Sequence, residues 1–553
     1  MATRRVAWDT LVTWVHAHGG ALDARLCYDD ARDCDGGIKA SEQLNVDSSI
    51  IEIPMSLWVT RAAAESSAIG REAASAINSA VQAGIQLQSG SPADIIIAFH
   101  LAADVAINSF HAPYYATLPT GEDDPRVMLP RCWSDAEIDA LLGGSPAAGE
   151  AKRARAAVAS DYEAVSAHIE QHSLAGWPDF EAYDWAMAMV GSRSFCLDTS
   201  AGPVDALIPA LDMLNHARPR ETSYQVVEDR GDGVAEGTAL HVRVLRPVVA
   251  NRALHITYGA KGNAQLLGSY GFVTLVNYEP DGSSNDVRDL YLPQPAALSA
   301  PAPLVHVPST HAPLRIGPKG YAFPALNKAV DAFRAVAFAQ WRSSAADHDT
   351  KLEGIALEVR ALRALRDAID TELAGYALKS EEAAAAALHA PPKPPKAVRK
   401  APGYRADLWA RRAASAAALV LSELLTLGWY RTIVCMCLTV LSPPASDEGG
   451  GGGGVAASKA DQRRARAIQL QDDVRAERER AERERAERER AAVATRDEQD
   501  ASPVESPVES VEALRRYASR AHAADTALVF LKIRFPALSA QPTTKKKRKR
   551  TVD

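Results

Sequence analysis

"IPALDMLNHARP", residues 208–219, sets Asp212, Asn215 and His216 among apolar neighbours, with a proline near each end. Polar groups in such company must be paired, because an unpartnered buried carboxylate, amide or imidazole costs free energy. On a helix, Asp212 and His216 would share a face at i,i+4 and could ligate a metal. That reading needs a third ligand, and no second histidine cluster or H-x-D pattern stands nearby. A polar turn in which Asp212 caps backbone amides is the other reading of the stretch taken alone. The six cysteines (Cys27, Cys34, Cys132, Cys196, Cys435, Cys437) follow no C-x-x-C spacing, so no metal is expected and a reduced intracellular setting is the simplest one.

A chain of 553 residues is too long for a single compact domain, and its composition predicts two folded units plus linkers. A net charge of -7 gives no ground for nucleic-acid binding by the whole molecule. Trp8, Leu11, Val12 and Val15 recur at helical spacing, so the N-terminus reads as the first helix of a domain and not as a secretory signal. Short strand runs follow to about residue 60, including "SSIIEIPMSLWVT". Helical patterns fill about 61–190: "ADIIIAFHLAADVAIN" reads as a buried helix and "SDAEIDALLGG" as one capped by Ser134 and Glu137. Strand patterns return from 204 to 290, where Val242, Val244, Leu254 and Ile256 alternate. The layout predicts an α+β fold, β-rich and split by a helical insertion, without regular βαβ alternation.

Residues 300–445 read as an all-α second domain, interrupted by a PPII-like loop at "APPKPPKAVRKAPG". The apolar stretch "AAALVLSELLTLGWYRTIVCMCLTVL" carries Glu423 and Arg431, which predicts a buried helix pair and no membrane span. Residues 446–553 read as a largely disordered tail. It holds a polyglycine linker, a solvated helix of "AERER" repeats, two Ser-Pro pairs at Ser502 and Ser506, and a basic end. The run Lys545–Arg550 can be a nuclear-import signal bound by an import receptor, a phosphate-binding patch, or a solvated charged end.

A second stretch turns the first into a specific signal. "ITYGAKGNAQLLGSYGF", residues 256–272, holds two Tyr-Gly pairs around an amphipathic run. Pro209, Asp212, Met213, Asn215 and His216, followed by Tyr258, Gly259, Lys261, Asn263, Leu266, Leu267, Tyr270, Gly271 and Phe272, match two blocks in order and at fixed spacing. These blocks resemble those of the SET-domain protein methyltransferases, above all the Rubisco large subunit methyltransferase type. "SRSF" at Ser192–Phe195 and "SFHAPYYATLP" extend the resemblance, which covers residues from about 8 to about 440. It implies a SET domain over 1–290 with its insertion at about 61–190 and a helical substrate-binding domain over 300–445; the tail over 446–553 lies outside it.

The resemblance also implies the chemistry. Asn215 and His216 would hold S-adenosylmethionine, Arg193 would contact its carboxylate end, and the turn at Gly36 and Gly37 would lie against it. Tyr270 would be the catalytic tyrosine, with Tyr224 and Tyr258 lining the target channel. Such a site positions a methyl donor and a neutral nucleophile for in-line displacement. The expected activity is methylation of a lysine ε-amine on a non-histone protein in the nucleus, the cytoplasm or both. A histidine imidazole is the alternative target. Asp35 stands where the family's first glycine would be, and a catalytically weak SET-fold scaffold is the rival reading that it feeds. A further rival makes the basic tail a tether to nucleic acid.

Overall fold

The computed structural model describes residues 4–29, 37–107, 109–169, 174–228, 237–279, 281, 283–292, 311–317, 322–344, 354–442, 459–494, 511–512, 515 and 518–535. Gly36, Asp35, Ser502, Ser506, the polyglycine run and Lys545–Arg550 lie outside these. The chain divides into two compact units: one of Met1–Leu142, Pro146–Val273 and Lys393–Ser415, the other of Gly143–Ser145, Thr274–Pro392 and Ala416–Asp553.

The first unit opens with helix α1 (Arg4–Ala17), which buries Trp8, Leu11 and Val15 as its spacing predicts. Its strands are short: β1 (Ala21–Leu22), β2 (Leu26–Asp29), β3 (Gly37–Ala40), β4 (Ser49–Pro54), β5 (Val59–Thr60), β6 (Ser194–Thr199), β7 (Gly202–Leu207), β8 (Asn215–His216), β9 (Thr222–Glu228), β10 (Thr238–Val244) and β11 (His255–Ile256). They form an antiparallel sheet in the order β1-β4-β10-β9, a three-stranded sheet β5-β7-β6, and the pairs β2-β3 and β11-β8. The last pair is parallel, with Asn215 opposite His255 and His216 opposite Ile256.

Between β5 and β6 runs the helical insertion: α2 (Arg61–Ser66), α3 (Ala68–Gln82), α4 (Pro92–Asp104), α5 (Ala112–Tyr115), α6 (Asp135–Leu142), α7 (Pro146–Ile169) and α8 (Phe180–Arg193). Helix α4 starts in a Ser91–Asp94 capping box and buries Ile95 through Ala102, so it is the buried helix the sequence predicts. At α6 the Ser134 amide donates to Glu137 Oε2 at 2.9 Å and the Glu137 amide donates back to Ser134 Oγ at 3.3 Å. After β11 comes α9 (Asn263–Tyr270), ended by Gly271 at φ 79. A Cβ on Gly271 would stand 2.9 Å from that of Met128, so conformation and space both require glycine.

The second unit holds one antiparallel pair, β12 (Arg288–Tyr291) with β13 (His311–Leu314), where an all-α domain was expected. A four-residue strand containing Pro313 leaves no periodicity for a sequence reading to register. The helices are α10 (Phe323–Ser344), α11 (Gly354–Gly375), α12 (Glu381–Ala387), α13 (Lys396–Lys400), α14 (Ala406–Leu441), α15 (Lys459–Ala494) and α16 (Arg520–Arg534). Two of these, α13 and the first turns of α14, cluster with the first unit. The proline-rich loop therefore contains a short helix, and the expected helix pair is a single helix of 36 residues. Its alanine and leucine content sustains helix throughout, and nothing between Gly428 and Arg431 breaks the backbone ladder. Among the described helices α14 alone is long and apolar enough to cross a membrane, and 72% of its apolar window is buried inside the protein. Within the tail, α16 packs Ala523, Ala524, Ala527, Phe530 and Leu531 into the second unit's core.

Candidate active site

The stretch 208–219 is not an α-helix. Ala210 has φ 65 and ψ -34, and the Leu211 amide donates to the Pro209 carbonyl at 2.8 Å, a strained three-residue turn. A single 3-10 turn follows at Leu211–Met213, and Asn215 and His216 then extend into β8. Asp212 and His216 therefore do not share a helical face, and the geometry behind the metal reading is gone. Among the described residues no group of three or more His, Cys, Asp or Glu side chains could hold a metal ion.

Each polar group finds its own partner. Asp212, 6% exposed, accepts a hydrogen bond from the Tyr114 hydroxyl at 3.0 Å and from Arg193 Nη1 at 3.3 Å. The same Nη1 donates to the Asp212 carbonyl at 2.8 Å, which fixes Arg193 at the end of α8. Burial pushes the Asp212 carboxyl up, and the Arg193 charge opposes it. His216 Nδ1 accepts from the Tyr258 amide at 3.1 Å, which ties β8 to the first Tyr-Gly pair. Asn215 packs against the start of β3: a Cβ on Gly37 would lie 2.9 Å from Asn215 Nδ2. The Asn215 amide therefore lies directly against the β3 backbone at Gly37.

Around this anchor stand the aromatic rings. Tyr258 and Tyr270 stack with centroids 4.7 Å apart, and Phe272 lies 6.1 Å from Tyr270 and 6.2 Å from Tyr258. The left-handed turn at Gly271 brings Tyr270 and Phe272 to one cluster across the end of α9. The His216 ring reaches it at 5.2 Å from Tyr258 and 6.1 Å from Phe272. Tyr224 on β9 packs edge-on against Phe195 at 5.5 Å, near enough to Tyr270 to disfavour its ionisation. Burial raises the Tyr270 and Tyr258 hydroxyls above the ordinary phenol range, so both stay protonated at neutral pH.

Gly37, Arg193, Asn215, His216, Tyr224, Tyr258 and Tyr270 thus fall into two linked sets, one around Asn215 and Asp212 and one aromatic, with His216 between them. Gly36 lies outside the described residues. Sequence reading missed Tyr114, the hydroxyl that completes the Asp212 network, although its "APYY" run was in view. Phe195 and Phe272 were seen as motif letters and not as walls.

This is the SET-domain fold of the Rubisco large subunit methyltransferase type, a β-rich domain split by helices and followed by a helical unit. The solved SET domain of LSMT bound to lysine and AdoHcy aligns with a TM-score of 0.57 at 18% identity, over 79% of this chain and 92% of that one. The structure of Rubisco LSMT bound to AdoMet aligns with a TM-score of 0.53 at 18% identity, over 79% and 93%. Among curated proteins, the actin-histidine N-methyltransferases of Gallus gallus and Homo sapiens are each 27% identical over 245 residues. That match takes in 43% of this chain and 37% of each relative's length. No protein-family model matches the sequence.

Proposed function

We propose that the chain is an S-adenosylmethionine-dependent protein methyltransferase, acting on a lysine ε-amine of a non-histone protein. The observation that carries this is the meeting at His216 of a glycine-walled polar cradle and a stacked tyrosine pair. The residues fit the donor. Asp212 Oδ1 and Arg193 Nε are buried without a partner among the described residues, so an acceptor and a donor are left unsatisfied side by side. The amino-acid end of S-adenosylmethionine is a zwitterion whose ammonium and carboxylate need that combination, directly or through water.

When bound, the donor supplies an electrophilic methyl: its S–C bond breaks as an N–C bond forms, and the sulfonium becomes a thioether. The chain's own residues orient and exclude water. Gly37 and Asn215 wall the cradle and Arg193 is held rigid by Asp212. Tyr270, kept as a neutral hydroxyl, can align the acceptor's lone pair but is too weak a base to remove its proton. The proton must leave beforehand, and half-buried aromatic walls favour the neutral amine over the ammonium. The helical second unit would hold the protein substrate. The basic run Lys545–Arg550 would direct the chain to the nucleus, and a fluorescent fusion staying cytoplasmic would contradict that.

Histidine is the second reading, on the strength of the curated relatives' activity; mass spectrometry of the methylated residue separates the two. Calorimetric titration with S-adenosylmethionine should show binding by wild type that Asn215→Ala loses. Tyr270→Phe should keep that binding while transfer falls on the order of a hundredfold or more. Full activity in Tyr270→Phe would remove the tyrosine from its role, and a well-folded wild type that does not bind the donor would leave a binding scaffold.

A further inference from the structure

We infer that Tyr114 is a positioning residue of the donor site. Its hydroxyl holds the Asp212 carboxylate in a single-contact pairing with Arg193, and so keeps an acceptor and a donor open for the amino-acid end of S-adenosylmethionine. The inference deepens the methyltransferase reading and rests on it for the identity of the ligand. The tyrosine lies outside both motif blocks, 98 residues before Asp212.

A carboxylate facing an arginine commonly closes on it with both oxygens, each accepting one of two parallel N–H groups. Here the pairing is single. Oδ2 accepts from Arg193 Nη1 at 3.3 Å, while Asp212 Oδ1 and Arg193 Nε are both buried without a partner among the described residues. Two other bonds account for the offset. The Tyr114 hydroxyl donates to the same Oδ2 at 3.0 Å, and Arg193 Nη1 also donates to the Asp212 carbonyl at 2.8 Å. The terminal torsion of an aspartate turns easily, so a carboxylate with only the guanidinium beside it would rotate into the two-contact pairing. The hydroxyl prevents that rotation.

Tyr114 is built to hold this position. It is fully buried in α5, where its amide donates to the His111 carbonyl at 2.9 Å and its carbonyl accepts from the Thr117 hydroxyl at 2.7 Å. Burial first, and then the Asp212 charge, raises its phenol well above the ordinary range, so the hydroxyl keeps its proton and donates at neutral pH. A buried acceptor and a buried donor left unmet cost stability, which a ligand carrying an ammonium and a carboxylate recovers. If the two had closed on each other, the ligand would first have to part them, and its affinity would fall by that cost.

The test is calorimetric titration of the full chain with two ligands: S-adenosylhomocysteine, which has the amino-acid end, and methylthioadenosine, which lacks it. Tyr114→Phe should bind the first about tenfold more weakly and the second as wild type does. Tyr115→Phe removes the neighbouring buried hydroxyl, which faces Asp104, and should change neither affinity. A crystal structure of the ligand-free Tyr114→Phe chain should show Asp212 accepting from Arg193 Nε and Nη1 on its two oxygens. Equal losses for both ligands would reduce Tyr114 to a structural support and overturn the inference. So would an unchanged affinity for S-adenosylhomocysteine, or a single contact retained in the crystal. A folded wild type that binds neither ligand would overturn the methyltransferase reading, and the pairing in the ligand-free crystal would still decide what Tyr114 does to Asp212.

Discussion

Asp212 in the first unit and Glu423 in the second are each buried beside a tyrosine and an arginine, and the two networks differ in how they close. In the second unit, Glu423 takes the Ser145 hydroxyl on Oε1 at 3.0 Å and the Tyr376 hydroxyl on Oε2 at 3.0 Å. Arg288 Nε donates to Tyr376 at 2.9 Å and its charge is paired with Glu372 at 2.5 Å. In the first unit Asp212 uses one oxygen for both partners and leaves the other, with Arg193 Nε, unsatisfied. A closed network stabilises one packing and needs nothing more; an open one carries a standing cost that a ligand can relieve. The Asp212 network is the one of this pair that has room for a ligand.

The strongest way to break this comparison is Asp212→Ala. Removing the carboxylate leaves the Arg193 guanidinium uncompensated, and we expect a loss of about 3–5 kcal/mol by chemical denaturation together with the loss of donor binding. A variant that still binds S-adenosylmethionine at wild-type affinity would detach the network from the site.

Next in size is a pH effect confined to the closed network. Burial, opposed by Arg288, raises the Glu423 carboxyl to about 7, above its ordinary value of 4.5. The folded state therefore keeps a proton that the unfolded state has already released. That contribution is complete below the unfolded value and is lost as pH rises through the folded one, in total up to ~3 kcal/mol. Glu423→Gln cannot ionise, so its stability relative to wild type should improve as pH rises from about 4.5 to about 7. A stability difference independent of pH in melting experiments would show that Glu423 ionises normally.

The smallest effects sharpen the contrast most. Tyr114→Phe and Tyr376→Phe each delete one buried hydroxyl, and each should cost about 1–2 kcal/mol. Only Tyr114→Phe should also weaken donor binding in calorimetry, because Tyr376 belongs to a network with no capacity to spare. Equal donor affinities in the two variants would erase the distinction.

Much of the first unit was legible. Helices α1, α4 and α6 follow from apolar spacing and capping boxes, which are local in sequence. The two motif blocks hold Asn215, His216, Tyr258 and Tyr270 in order and at fixed spacing. What was not legible depends on distance along the chain. Tyr114 and Asp212 are 98 residues apart, and Ser145 and Glu423 278 residues apart. No periodicity reports such pairs. The helix α16 was missed for a related reason. Its apolar residues look like any amphipathic tail segment until a core is present to receive Phe530, which is fully buried.

By itself, then, the sequence determined the α+β class, the split by a helical insertion and the residue types that chemistry at this site requires, because those signals are carried by neighbours in the chain. Only the tertiary structure decided that Asp212 and His216 would not share a helical face, since the strained turn at Ala210 holds one in a 3-10 turn and the other on a strand. It alone set Gly37 against Asn215 and stacked Tyr258 on Tyr270. Those relations are made by packing between segments far apart in sequence, where steric fit and the pairing of buried charge outweigh local preference.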